Sequence, residues 1–163
     1  MAYVSQEFKK ELTPAIKAVL KKFNMKGTIS VNNHSTLVVK LKSGSIDFVA
    51  GVASRAYSQR LERMEEYYHG KCHSITGKSA RETLHEDLNN CSVNESWINE
   101  TYTGICRDFL NELHDAMKGP AFFCKDDAMT DYFYRSHYID IMIGKDWKTP
   151  YICTFESLSK EAA

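Results

Sequence analysis

The sequence has no surplus of either charge and no long apolar run. Lysine and arginine together number 21, as do aspartate and glutamate, so the formal net charge is zero. A protein dominated by phosphate contacts usually carries a basic surplus, and a nucleic-acid mimic would carry an acidic one. The overall charge indicates neither class, although it leaves room for a local patch. No apolar run approaches the roughly 18 residues of a membrane-spanning helix, so no membrane partner is expected.

Cysteine is scarce and secretion signals are missing. The chain has five cysteines, an odd number, and they are widely spaced. This spacing favours reduced thiols over a disulfide framework. The N-terminus, MAYVSQEF, lacks the basic and then apolar layout of a secretory signal. Together these absences predict a cytoplasmic protein.

A complete nucleotide-phosphate loop is also missing, although Gly77-Lys78-Ser79 has the form of its last three residues. The motif requires an earlier glycine at the position that Cys72 occupies, and it follows a buried strand. Residues 60–69 instead have the pattern of a charged helix. Ser79 and Glu82 have the spacing of a capping box, which predicts a helix start. We therefore assign no nucleotide and no other cofactor.

What the chain does contain is clear apolar periodicity. Steps of three and four residues predict helices, and alternation predicts strands, while residues 90–102 have a polar and irregular pattern. The pattern predicts helices over 8–23, 52–68, 80–89 and 105–117, and strands over 28–31, 37–42, 130–134 and 138–143.

The strands are expected to form two β-hairpins, with turns at 32–35 and 135–137. Two hairpins can join into one antiparallel sheet, and the apolar faces of the first and last strong helices can cover one side of it. The sequence thus predicts an α+β fold, an antiparallel sheet of two hairpins packed on one side by helices, in a single domain over 1–163.

The sequence contains three clusters that are candidate sites. His34, Ser35 and Asp47 could supply a nucleophile and a base if the hairpins brought them together, but turn and strand-end roles also account for them. His69, Cys72 and His73 are metal-type donors without the second cluster that a structural zinc site normally has. We therefore predict no catalytic residue and no metal site, and an enzyme is not favoured.

The helix over 52–68 carries the third cluster, a set of nucleic-acid candidates. Basic residues recur along it with an aromatic residue nearby, an arrangement that can grip phosphates and stack on bases. Glutamates in the same helix weaken this field, and mixed charges are also typical of a solvated helix face. The nucleic-acid candidates are Arg55, Arg60, Arg63 and Tyr57.

Aromatic residues crowd the C-terminal third of the chain. By strand alternation some of them must face outward, and exposed Tyr and Trp favour protein interfaces. The alternative is that they cover the second face of the sheet. The interaction candidates are Tyr132, Tyr134, Tyr138 and Trp147.

Two stretches carry a family resemblance. VNNHSTLVVKLKSGSIDF over 31–48, and TDYF over 130–133 with YIDIMIGK over 138–145, resemble the large polyvalent protein-associated domain number 29. The order of segments agrees, including the helix over 104–118. Residues 50–95 depart from the family pattern as a helical and loop insertion. The resemblance therefore implies no structure or function for this region.

The resemblance implies a setting and no catalytic role. The family is associated with bacteriophages and conjugative elements, and its domains occur in large proteins injected with incoming DNA or as small separate proteins. It implies a phage or mobile-element accessory protein in the bacterial host cytoplasm that binds a host protein or complex, for example as an anti-CRISPR or anti-restriction inhibitor. The alternative is a nucleic-acid-binding module or small enzyme acting on incoming DNA.

Overall fold

A five-stranded sheet and the helices packed on it make up the described part of the chain, residues 2–69, 76–145 and 147–154 of the computed structural model. The predicted α+β class is confirmed. The helices are α1 (Gln6–Lys22), α2 (Ser54–Tyr68), α3 (Ala80–Leu88), α4 (Ile98–Thr101) and α5 (Gly104–Lys118). The strands are β1 (Met25–Asn32), β2 (Thr36–Gly44), β3 (Cys91–Val93), β4 (Tyr138–Ile143) and β5 (Ile152–Cys153).

The first hairpin is confirmed. β1 and β2 pair antiparallel from Asn32↔Thr36 to Met25↔Gly44, with a bulge at Lys26/Gly27. Asn33 and His34 both have positive φ, 50° and 59°, in the connecting turn. Asparagine and histidine enter this left-handed region more readily than most residues, so the local sequence suits the tight turn.

The second predicted hairpin is wrong. β4 forms as expected, but it pairs parallel with β2, from Thr36↔Tyr138 to Leu41↔Ile143, and antiparallel with β3 on its other edge. The strand order is β1-β2-β4-β3, and β5 also pairs with β2. The predicted partner over 130–134 is no strand. β4 buries Ile141, Met142 and Ile143 in succession, the pattern of a strand buried on both faces, and the exposed side chains of 130–134 do not fit such a position.

The core lies between the sheet and the helices α1 and α5, as predicted for one side of the sheet. Alternate residues of β2 and β4 point toward these helices, and the rings of Phe23 and Phe109 meet edge-on at 5.3 Å between α1 and α5. The opposite side of the sheet is polar where Ser92 donates to Asp140 at 2.7 Å. The core residues from these elements include Leu12, Ile16, Leu20, Leu37, Val39, Leu41, Phe109, Leu113, Met117, Ile141 and Ile143.

The helix α1 continues through Pro14 without a break. Ser5 caps its first turn by accepting from the backbone N–H of Phe8 at 3.0 Å, as the sequence predicts. Proline inside a helix removes one backbone donor. Here the hydroxyl of Thr13 donates to the carbonyl of Lys9 at 2.7 Å. This adds a hydrogen bond in the turn where proline removes one from the helical backbone pattern.

The segment 90–102 is more ordered than its polar sequence suggests. It contains β3, a 3₁₀ turn over Glu95–Trp97 and α4. Ile98 and Tyr102 are buried in the main core, which fixes the segment against α5. Long-range packing and pairing with β4 therefore overrode the weak local pattern.

Ser79 begins α3 with a complete capping box. The backbone N–H of Ser79 donates to the Glu82 carboxylate at 2.8 Å, and the Ser79 hydroxyl accepts from the backbone N–H of Glu82 at 3.3 Å. The Ser79 hydrogen bonds lower the pKa of Glu82. The Gly-Lys-Ser tripeptide thus has a helix-capping role, while residues 70–75 before it lie outside the described residues.

We expect Ser79→Ala to reduce the free energy of unfolding by about 1 kcal/mol, because it removes the cap acceptor. Urea denaturation monitored by circular dichroism measures this change. Ser58→Ala, at an exposed position within α2, serves as the control and should leave the unfolding midpoint nearly unchanged. An equal loss in both variants would contradict the capping role.

Candidate binding surfaces

Residues 121–135 form a protruding ribbon, which we call the aromatic loop. Its two arms are joined by isolated bridges, Cys124↔Arg135 and Asp127↔Tyr132. Backbone N–H groups donate from Lys125 to Tyr134 at 2.6 Å and from Asp127 to Tyr132 at 2.7 Å. The loop therefore folds back on itself and leaves β4 free to pair inside the sheet.

The aromatic loop concentrates exposed apolar side chains. Among the described residues, five of the eleven large hydrophobic residues that are exposed belong to it. Met129 is 93% exposed at the tip, and Tyr132 and Phe133 are 60% and 59% exposed. The others are Phe123 and Tyr134, whose rings lie 5.0 Å apart. Clustered exposure of this kind marks interaction surfaces.

The base of the loop is fixed by Arg135 and His137. The Nε of Arg135 donates to the Asp126 carboxylate at 2.9 Å, and its guanidinium lies 4.7 Å from the centre of the Tyr138 ring. The hydrogen bond from Arg135 lowers the pKa of Asp126. His137 is buried between the rings of Phe8 and Phe122. These contacts hold the loop in one orientation relative to the core.

The four interaction candidates therefore lie in three different parts of the structure. Tyr132 and Tyr134 lie on the aromatic loop, with their rings roughly parallel at 6.2 Å. Tyr138 is half-buried at the start of β4 beneath Arg135. Trp147 is exposed in the tight turn closed by the bridge Lys145↔Thr149. Sequence reasoning missed Met129 and Phe123, whose exposure follows from the ribbon geometry and has no signal in the alternation pattern.

His34 and Ser35 line a pocket of about 370 Å³ at the base of the aromatic loop, with Tyr3, Phe133 and Tyr138. The N-terminal segment forms one side of it, and the backbone N–H of Val4 donates to the carbonyl of His34 at 2.7 Å. The structure thus joins two candidate sets that the sequence kept apart, the polar turn and the aromatic residues.

Asp47 does not belong to this pocket, so the structure brings His34 and Ser35 together without the third residue of the candidate cluster. Asp47 follows the far end of β2, and His34 precedes its start. The eight steps of this nine-residue strand span roughly 26 Å at 3.3 Å per step. The Asp47 carboxylate accepts from the backbone N–H groups of Val49 and Ala50 at 3.0 and 3.1 Å. This is a turn-capping role.

A second concave surface, the Arg–Trp groove, lies between α2 and the segment 94–101. Its volume is about 510 Å³. Arg55, Arg60 and Arg63 line one wall, and Trp97, which is 58% exposed, lies in the other with Glu100. Arg60 and Arg63 share a face because they are three residues apart, and Arg55 lies about two turns before Arg63 toward the same side.

Three of the four nucleic-acid candidates line this groove, and Tyr57 does not. The Tyr57 hydroxyl lies 2.8 Å from Nε2 of His85, and its ring packs against the core on the opposite side of α2. Trp97 instead supplies the aromatic surface. No local pattern indicates this pairing, because Trp97 is more than 30 residues from the arginines and meets them only through the packing of Ile98 and Tyr102.

Metal donors and cysteines form no further site within the described ranges. No group of three or more His, Cys, Asp or Glu side chains there could hold a metal ion. His69 ends α2 with a φ of 50°, and Cys72 and His73 lie outside the described residues. Burial raises the pKa of the Cys106 thiol to about 12, as is usual for a packing residue, whereas Cys124 is exposed.

Comparison with known proteins adds no relative. No protein-family model, no curated protein and no solved structure matches the chain. Within the described ranges, no helix is both long enough and apolar enough to cross a bilayer. The function must therefore be inferred from the aromatic loop and the Arg–Trp groove themselves.

Proposed function

We propose that this protein is an interaction protein that binds another protein through the aromatic loop. The observation that carries the proposal is the clustering of Phe123, Met129, Tyr132, Phe133 and Tyr134 as exposed side chains on one anchored ribbon. Aromatic residues and methionine are enriched in the buried centres of protein interfaces. A hydrophobic cluster on a projecting ribbon presents such a centre to a partner.

The anchoring of the loop favours tight binding. Association costs free energy when interface side chains and loops must first be ordered. The backbone bonds across the ribbon and the Arg135–Asp126 ion pair already order this loop in the free protein. More of the hydrophobic contact energy is then available for affinity.

The setting of the proposal comes from the resemblance of residues 31–48, 130–133 and 138–145 to the phage-associated domain. In that setting the partner is a host protein or complex of the bacterial cytoplasm, and the protein acts as a host-defence antagonist, for example against a CRISPR or restriction system. The aromatic loop is compatible with such a role because inhibition by occlusion needs an interface and no catalytic group. The polar pocket holds His34 and Ser35 without Asp47, and neither residue is assigned a catalytic role, so an enzyme is not proposed.

The expected result is that Tyr132→Ala/Phe133→Ala/Tyr134→Ala loses partner binding. A protein captured from bacterial lysate by the wild type is purified and titrated by isothermal calorimetry. We expect the triple variant to bind at least about 100-fold more weakly, since each buried aromatic hot spot contributes about 2 kcal/mol or more. In a host with the targeted defence system, phage plating should rise with the wild type and stay low with the variant.

Ile105→Ala/Ile152→Ala is the matched control, because both residues are exposed and lie outside the loop. It should keep wild-type affinity. Equal affinity of the loop variant and the wild type would contradict the proposal. So would a wild type that elutes as a dimer by light scattering while the loop variant elutes as a monomer, since the loop would then bind a second copy of the chain.

A further inference from the structure

We propose that the Arg–Trp groove binds single-stranded nucleic acid, with the arginines of α2 on its phosphates and Trp97 stacked on a base. This function is separate from protein binding by the aromatic loop. The groove brings three guanidinium groups opposite one exposed indole ring. These are the two elements from which proteins build strand-binding surfaces.

The charge of the groove is locally positive although the chain as a whole is neutral. Among the described residues that line the groove, Glu100 is the one carboxylate beside three arginines, while Asp87 acts on Arg60 from outside the groove. Within the described residues, none of the three arginines forms an ion pair or a hydrogen bond with another side chain. Their donors are therefore available to an anion, and planar guanidinium groups suit phosphate oxygens.

The length of the arginine row fits more than one nucleotide. Arg55 and Arg63 are separated by about 12 Å along the axis of α2, at 1.5 Å per residue. Neighbouring phosphates of a stacked strand are about 3.4 Å apart along its axis. The groove volume of about 510 Å³ also lies within the usual range of ligand sites, about 300–1,000 Å³.

An unpaired strand fits this groove better than a duplex or an acidic peptide. The Trp97 ring can stack only on a base that is not already covered by its neighbours on both faces, which excludes the interior of a duplex. An acidic peptide would use the arginines but would leave the exposed indole without a stacking partner. Trp97 is therefore the residue that distinguishes the three ligands.

The test uses the full chain and a short fluorescein-labelled mixed-sequence strand, as DNA and as RNA, in fluorescence anisotropy titrations over a range of salt concentrations. With three phosphates neutralised, the plot of log affinity against log salt should have a slope of about −2. Arg55→Gln/Arg63→Gln should make this slope shallower by about 1.4. Arg60 is left in place because its charge also acts on Asp87.

Trp97 has its own readout. Trp147→Phe leaves Trp97 as the only tryptophan of the chain, so quenching of its emission by an unlabelled strand reports stacking directly. Trp97→Ala should weaken binding by about tenfold or more, as expected for one lost base–aromatic stack. Lys10→Gln/Lys17→Gln removes the same charge from exposed positions of α1 and should leave affinity and salt slope unchanged.

Three results would overturn the proposal. The first is no binding of either strand at low salt. The second is equal loss of affinity in the arginine pair and the lysine pair, which would indicate only general charge attraction. The third is binding of a duplex or of polyglutamate as tight as that of the single strand, with Trp97 emission unchanged.

Discussion

Phe48→Ala should destabilise the protein by about 3–5 kcal/mol, the usual cost of truncating a buried phenylalanine. Phe48 is fully buried just beyond β2. Its ring meets those of Tyr151, Tyr102 and Phe109 at centroid distances of 4.9, 6.3 and 6.4 Å. The substitution therefore opens a cavity where the end of the sheet, α4 and α5 converge.

Differential scanning calorimetry measures this loss. At this chain length about 3–5 kcal/mol corresponds to a melting temperature lower by about 6–20 °C. Phe133→Ala makes the same chemical change at an exposed site and should change stability by no more than about 0.5 kcal/mol. Similar melting temperatures for the two variants would show that the cluster around Phe48 is not the centre of the core.

The second large effect is a loss of stability in mild acid that depends on His137. This side chain is fully buried, and its Nε2 lies 2.9 Å from the carbonyl of Met117 in the last turn of α5. Because a carbonyl only accepts, Nε2 carries the proton, and Nδ1 accepts from the hydroxyl of Ser136 at 3.1 Å. Neutral His137 thus satisfies a helix-end carbonyl, and a second proton would place a charge between two phenyl rings.

Burial lowers the pKa of His137 below 6.5, and the hydrogen bond to Met117 only partly opposes this effect. The unfolded chain therefore binds a proton that the folded chain does not. The contribution of neutral His137 to the free energy of unfolding is fully present above pH 6.5. It falls as the pH decreases toward the folded-state pKa, by at most about 1.4 kcal/mol per pH unit.

Chemical denaturation from pH 8 to pH 5 checks this dependence. His137→Gln can keep a donor to the Met117 carbonyl but cannot take up a proton, so its stability should be lower overall and nearly independent of pH in this range. His34→Gln, at an exposed position, should keep the wild-type slope. If His137→Gln keeps that slope as well, another group is responsible.

Glu95 cannot account for the same pH window. The hydrogen bond from His114, at 3.0 Å, lowers the pKa of Glu95. The contribution of ionised Glu95 to stability is therefore present above pH 4.5. It is lost only as the pH falls below that value toward the folded-state pKa. The two groups can be separated by the pH at which stability decreases.

Local patterns were sufficient for most individual elements. Strict alternation over residues 28–31 and 37–42, and the left-handed turn residues between them, predicted the β1–β2 hairpin. The capping pair Ser79 and Glu82 marked the start of α3. These features depend on residues within a few positions of each other, so the sequence contains all the information that they require.

The aromatic loop shows where local patterns were not sufficient. Residues 130–134 are rich in aromatic residues, as strands often are, yet the bridges Asp127↔Tyr132 and Cys124↔Arg135 join the segment 132–135 to 124–127, and β4 takes a central position beside β2. Strand periodicity predicts that a segment is extended but does not specify its partner. The second hairpin was wrong because both alternatives satisfy the same pattern, and only burial distinguishes them.

The sequence by itself determined the α+β class, the helices α1, α2, α3 and α5, and the first hairpin. Tertiary structure decided the parallel pairing of β4 with β2, the separation of Asp47 from His34, and the meeting of Trp97 with the arginines of α2. The physical reason is that helix caps and apolar periodicity act between near neighbours in the chain. The two binding surfaces, in contrast, are assembled from segments tens of residues apart by burial of a shared core.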